Sequence, residues 1–160
     1  MYRLAEVLGR ALSARGYKLV TAESCTGGWL GQAITAVPGS SGWFERGFVV
    51  YSNASKCELL GVRAETLARF GAVSIETAAE MAEGALQVSH ADVSVAITGI
   101  AGPAGGTREK PVGTVCLAWQ GGPLPPHTRA FRIEGTREGV RRRAVMVALE
   151  GLIERLGTGA

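Results

Sequence analysis

The segment Thr21-Ala-Glu-Ser-Cys-Thr-Gly-Gly28 is where the sequence concentrates groups able to do chemistry. Lys18 to Ala22 carries β-branched Val20 and Thr21 and reads as a strand, while Trp29 to Val37 reads as a helix. Ser24, Cys25, Thr26 and Gly27 therefore fall on the turn between them. In α/β sheets ligands gather at the carboxyl ends of strands. Backbone amides at a helix start can hold an anion, or the oxyanion of an acyl transfer. Ser24 is thus a candidate nucleophile, although from these residues alone a helix cap made by Ser24 or Thr26 ranks ahead of catalysis. Cys25 is the competing nucleophile. It ranks below Ser24, because no histidine is placed to help it and free cysteines are most often buried as small apolar residues.

A serine nucleophile needs a base. His90 and His127 stand in no strand-end or glycine-rich setting, which leaves Lys18, Lys56 and Lys110. Lys18 opens a strand and Lys110 lies in a charged loop. Lys56 ends the stretch Tyr51-Ser-Asn-Ala-Ser-Lys56, just past a second strand, and can face the same crevice as Ser24. A lysine early in a short helix is ordinarily a solvated charge; burial or a neighbouring cation would be needed to make it a base.

A second glycine-rich run, Gly99-Ile-Ala-Gly-Pro-Ala-Gly-Gly106, follows a strand at Asp92 to Ile97. Its glycines at 99, 102, 105 and 106 fit neither the Walker pattern nor GxGxxG. Its amides suit a phosphate or an aromatic ring as well as they suit a plain connector. Thr98 can donate a hydrogen bond at that strand end or cap the loop. Arg46 beside a strand start, or Arg137 in the first turn of the last helix, can grip a phosphate with its planar fork. The run Arg141-Arg142-Arg143 reads as a solvated helix face.

These residues need a scaffold, and the sequence supplies alternating elements. Leu4, Val7, Leu8, Ala11 and Leu12 mark one face of a first helix that ends near Gly16. Further strands are expected at Gly47 to Tyr51, Val112 to Trp119 and Thr128 to Ile133, with a turn over Gly121 to Pro126 between the last two. Helices are expected at Ala54 to Leu60, Ala64 to Phe70, Ile75 to Val88 and Thr136 to Leu156, then a frayed tail over 157–160. No repeat or linker divides the chain. The order predicts one domain over 1–160, an α/β fold, with the layers of a three-layer α/β/α sandwich around a mixed sheet.

Composition narrows the class of function. With 46% hydrophobic and 19% charged residues, the 160-residue chain has the profile of an ordinary globular domain. No run approaches the ~20 apolar residues of a membrane span. Cys25, Cys57 and Cys116 are odd in number and widely spaced, which is neither a disulfide framework nor a zinc pattern. A reducing, cytoplasmic setting with no bound metal is expected. The net charge of +3 fits a small anionic ligand as well as nucleic acid. The few aromatic residues are not interleaved with a basic stripe, which disfavours nucleic acid.

Together the segments TAESCTGG, GSSGWFERGFVVYSNASK, LLGV, GAVS, TGIAGPAGG and EKPVGTV closely resemble, in order and spacing, the CinA C-terminal domain family. The resemblance covers essentially the whole chain, most densely from Thr21 to Val115. It implies hydrolysis of the carboxamide of nicotinamide mononucleotide to nicotinate mononucleotide and ammonia, in pyridine nucleotide salvage, with no cofactor. It further implies Ser24 as nucleophile, Lys56 as general base, Tyr51 and Thr98 as positioning groups, and Arg137 as a ligand-binding residue. Cys25, Thr26, Gly27, Arg46 and the glycines at 99, 102, 105 and 106 complete the expected binding set. In this scheme Arg46 or Arg137 helps Lys56 shed its proton, and amides at the start of the 26–37 helix take the oxyanion. A homodimer or higher homo-oligomer is expected. Two rivals remain at this point: a non-catalytic module that binds pyridine nucleotides, and an amidase for another small amide.

Overall fold

The computed structural model describes residues 1–123 and 125–157. Six helices and five strands follow in the order α1 (Tyr2–Arg15), β1 (Leu19–Glu23), α2 (Trp29–Thr35), β2 (Phe44–Val49), α3 (Asn53–Leu60), α4 (Ala64–Phe70), α5 (Ile75–Gln87), β3 (Val93–Gly99), β4 (Thr114–Gly121), β5 (His127–Arg132) and α6 (Arg137–Leu156). A short 3-10 turn at Ser40–Gly42 precedes β2. Of the tail expected over 157–160, only Gly157 is described. Within the expected turn at 121–126, Leu124 lies outside the described residues.

The sheet order is β2-β1-β3-β4-β5. β1 pairs in parallel with both β2 and β3, while β4 and β5 join antiparallel. The expected mixed sheet between two helical layers is present. Alternation along the central strands sorts their side chains. Leu19, Val93, Val95, Ile97, Val115, Leu117 and Trp119 pack with α1, α2 and α6 in one core. Val20, Ala22, Ala96, Cys116 and Ala118 pack with α3 and α5 in the other. Because β1 and β3 are covered on both faces, they read as near-continuous buried runs.

Two boundaries differ usefully from the sequence reading. β2 begins at Phe44 and ends at Val49, three residues earlier at its start than the apolar run Gly47 to Tyr51 suggests. Pairing with β1 decides this: Leu19 lies opposite Phe44 and Glu23 opposite Val49. Tyr51 is consequently free of the sheet, 63% exposed. β3 extends to Gly99, two residues past the expected end, because antiparallel pairing carries it along β4 to the Gly99–Val115 pair.

Three parallel strands finish at one edge of the sheet. Glu23 is paired with both Val49 and Ile97, so the segments that leave β1, β2 and β3 start side by side. That edge receives Ser24, Lys56 and Thr98.

Candidate active site

Ser24 follows β1 directly and is fixed by its own backbone. Its amide donates to the Ile97 carbonyl at 2.9 Å, and its carbonyl accepts from the Gly27 amide at 3.0 Å. The turn closes through Gly27 and Gly28, both at positive φ (60° and 95°), which glycine adopts without steric cost. The Ser24 side chain is nearly buried at 8% exposure.

Lys56 reaches the same spot from α3. Ser52 caps that helix, its hydroxyl accepting from the Ser55 amide at 3.0 Å, and Gly61 ends it. Lys56 lies in the first turn, and helical side chains lean back toward the helix start. Its Nζ therefore returns over the chain it has just left, donating to the carbonyls of Val50 at 2.9 Å and Tyr51 at 3.2 Å. The remaining direction points to Ser24 Oγ, 3.1 Å away.

At 1% exposure Lys56 is the largest fully buried side chain among the described residues. Burial lowers its pKa from the ordinary lysine value, against a small opposing pull from Cys25 and Cys57. No arginine contributes to that lowering. Arg46, expected as a helper or phosphate ligand, is instead ion-paired with its neighbour Glu45 at 2.6 Å and donates to the Val88 carbonyl. It does not line the cleft described next.

Ser24 and Lys56 open into a cleft of about 220 Å³, lined also by Cys25, Tyr51, Asn53, Ala72, Val73, Thr98, Gly99, Ala101 and Arg137. Thr98 is buried, and its hydroxyl donates to the Ala72 carbonyl at 2.8 Å, which holds the cleft wall ahead of α5. Tyr51 serves Lys56 through its carbonyl. Its phenol accepts instead from Arg137 Nη2 at 3.3 Å, while Arg137 Nη1 donates to the Gly102 carbonyl at 2.7 Å. Arg137 thus stands at the cleft mouth and also lines a wider, open groove with Thr26, Gly27, Trp29, Gln32 and Arg141. Asn53, Ala72, Val73 and Ala101 escaped the sequence reading. All four nevertheless lie in segments that carry the family resemblance, Asn53 in the Tyr51–Lys56 stretch, Ala72 and Val73 in GAVS and Ala101 in TGIAGPAGG.

Cys25 also faces the cleft, but burial pushes its thiol up to about 11. A group so rarely ionised near neutral pH is a poor nucleophile. Of the glycines in the 99–106 run, only Gly99 lines the cleft. Gly102 and Gly106 are explained by packing: a Cβ at either would come within 2.4 Å or 2.6 Å of Val112. Gly105 meets only the Ile100 side chain.

The start of α2 is not free to take an oxyanion. The buried Glu23 carboxylate accepts from the amides of Gly28 at 3.1 Å, Leu30 at 3.0 Å and Gly31 at 2.8 Å, and from the Thr26 hydroxyl at 2.7 Å. Four donors compensate the desolvation of this carboxylate, and its charge satisfies the positive end of the helix. Of the amides at the start of the expected 26–37 helix, those of Gly28, Leu30 and Gly31 are thus occupied, while that of Thr26 has no acceptor among the described residues. Thr26 is tied to Glu23, so neither Ser24 nor Thr26 caps α2; its N-cap is Gly28.

Among the described residues no group of three or more His, Cys, Asp or Glu side chains is placed to hold a metal ion. No described helix is long and apolar enough to cross a membrane.

This arrangement has close relatives. A protein of Escherichia coli (strain K12) named nicotinamide-nucleotide amidohydrolase PncC is 53% identical over 152 residues, spanning 95% of this chain and 92% of its own. The protein of that name from Pseudomonas putida is 50% identical over 159 residues, spanning 97% and 96%. Among solved structures, the competence/damage inducible protein CihA from Agrobacterium tumefaciens superposes with a TM-score of 0.92 at 46% identity, covering 96% of this chain and 93% of that one. The family described as the CinA C-terminal domain matches residues 1–156. A match over that span, with relatives this similar along their whole length, means that the chain belongs to the CinA C-terminal domain family.

Proposed function

We propose that this chain is a nicotinamide-nucleotide amidohydrolase that hydrolyses the carboxamide of nicotinamide mononucleotide through Ser24 and Lys56. The observation that carries the reading is the 3.1 Å contact between Lys56 Nζ and Ser24 Oγ at the floor of a cleft, in a chain about half identical to amidohydrolases of that substrate.

The hydrogen-bond pattern around Lys56 supports the assignment of roles. The carbonyls of Val50 and Tyr51 can only accept, so in the neutral amine two N–H bonds are committed to them. The lone pair is then left facing the Ser24 hydroxyl. Burial keeps the neutral amine accessible by lowering the lysine pKa. Ser24 Oγ attacks the carboxamide carbon as its proton passes to Lys56 Nζ. The carbon–nitrogen bond then breaks, and Lys56 returns the proton to the departing ammonia. Water attacks the nicotinoyl ester by the same route, giving nicotinate mononucleotide and free Ser24.

The tetrahedral oxygen needs donors other than the α2 start. The Thr26 amide donates to no other described residue and, with that of Cys25, directly follows the nucleophile. These two amides are assigned to the oxyanion. The cleft is small beside common ligand pockets of about 300–1,000 Å³, so it takes the nicotinamide ring while the ribose phosphate extends past Arg137 into the wider groove. Binding energy from the phosphate then orients the amide.

The test is ammonia release from nicotinamide mononucleotide, nicotinamide riboside and free nicotinamide, with EDTA present throughout. Turnover strongest on the mononucleotide and abolished by Ser24→Ala is expected. Wild-type protein that is inert on all three, yet gains thermal stability from the mononucleotide, would instead make this a binding module.

A further inference from the structure

We propose that Arg141 is a positioning residue for this reaction, acting through the backbone that follows the nucleophile. The inference rests on the amidase reading above. Arg141 lies one helical turn beyond Arg137 on α6, and the two share a face. Arg137 serves the cleft mouth. Arg141 reaches the Ser24 turn instead, its Nε donating to the Cys25 carbonyl at 3.0 Å and its Nη2 to the Thr26 carbonyl at 3.1 Å. The guanidinium carbon lies over the Trp29 ring, 5.4 Å from its centroid, a cation–π contact that helps hold the group in place.

Each end of the turn is gripped by the charge it suits. Glu23 takes the amides of Gly28, Leu30 and Gly31, and Arg141 takes the carbonyls of Cys25 and Thr26. The peptide bond is planar and trans, so its C=O and N–H point in opposite directions. A Cys25 carbonyl held by Arg141 therefore turns the Thr26 amide away from Arg141. That is the amide with no acceptor among the described residues and the one assigned to the oxyanion. The Thr26 carbonyl, held likewise, turns the Gly27 amide back onto the Ser24 carbonyl at 3.0 Å. Arg141 never touches the reacting atoms; it sets the direction of the donor that does.

A fork bridging two carbonyls cannot be replaced by an ammonium. Arg141→Ala and Arg141→Lys should both lower kcat about tenfold to a hundredfold on nicotinamide mononucleotide, with KM changed less than about threefold. Millimolar guanidinium should restore part of the Arg141→Ala rate, while urea at the same concentration should not. A KM increase at unchanged kcat, or full activity in Arg141→Lys, overturns the inference and makes Arg141 a simple charge for the phosphate. If Arg141→Ala fails to fold, Arg141→Lys carries the same kcat and KM test. A wild type that releases no ammonia overturns the amidase reading and this inference with it. An active wild type beside unimpaired variants overturns only the inference.

Discussion

Lys56 Nζ stands 3.1 Å from Ser24 Oγ and has two backbone carbonyls for its other hydrogens. A buried ammonium in this setting has one acceptor for each of its three donors, and a neutral amine keeps its lone pair on the hydroxyl. On the proposed reading Lys56 is the base, and it is aimed at Ser24 in both protonation states, so proton transfer would require no change of rotamer.

Removing either member of this pair should remove most of the rate. Ser24→Ala is expected to leave no measurable ammonia release, and Lys56→Met to lower kcat by about 10³-fold or more, since general-base catalysis contributes about 10²–10⁴-fold. Near-normal turnover in Lys56→Met, measured with coupled ammonia detection, would sink the dyad.

The lowered pKa of Lys56 has a signed consequence for rate and stability. Only the neutral amine accepts the Ser24 proton, so kcat/KM should rise with pH and level off below the ordinary lysine value of 10.5. Between the folded pKa and the unfolded one, the folded chain binds fewer protons than the unfolded chain. Wild-type stability therefore gains as pH rises through that window, and the cost of burying the charge is complete below it. Urea midpoints of wild type relative to Lys56→Met should climb from pH 7 toward pH 10; a flat difference would mean that the lysine is not depressed.

Glu23→Ala strands the amides of Gly28, Leu30 and Gly31 and the Thr26 hydroxyl. A loss of about 3 kcal/mol or more in unfolding free energy is expected, because each buried unsatisfied group costs about 1–3 kcal/mol. Glu23→Gln, which keeps an accepting oxygen, should lose less. Equal stability of Glu23→Ala and wild type in denaturant titration would contradict the cap.

Cys25 contributes packing and not charge. With its thiol pushed up to about 11, the thiolate fraction at pH 8 is roughly a thousandth. Iodoacetamide at that pH should leave activity intact over an hour, and Cys25→Ala should keep turnover within about tenfold of wild type. Rapid inactivation that Cys25→Ala prevents would return the cysteine to the list of nucleophiles.

Gly84 sets the distance between α5 and the helix that carries Lys56. A Cβ there would lie 1.8 Å from the Leu60 carbonyl oxygen, a backbone atom with no side-chain rotation to relieve it. Alanine is favoured over glycine by about 1 kcal/mol inside a helix, but the overlap forces α3 to move. Gly84→Ala should lose about 1–3 kcal/mol of stability and lower kcat as well, measured by thermal melts beside steady-state rates.

How much of this was legible in the sequence differs from residue to residue. The alternation of elements implies the layers, and α4 falls at its expected bounds, Ala64–Phe70. β2 was misplaced because Gly47 to Tyr51 is the more apolar stretch, whereas strand limits follow pairing with β1. The meeting of Ser24 and Lys56 was inferred from family resemblance, since spacing cannot show that two strand ends adjoin. Glu23 belongs to no catalytic motif, yet an acidic residue ending a buried strand just before a Gly-Gly helix start needs donors close by. Arg141 reads as solvated in the sequence because its partners are carbonyls, which every residue has and no motif marks.

Arg137 and Arg141 project from the last helix to segments made much earlier, touching residues 25, 26, 51 and 102. A chain lacking α6 would own both members of the Ser24–Lys56 pair and still have a slack turn and an open mouth. On the amidase reading proposed above, α6 is therefore part of the site's support although neither Ser24 nor Lys56 lies on it.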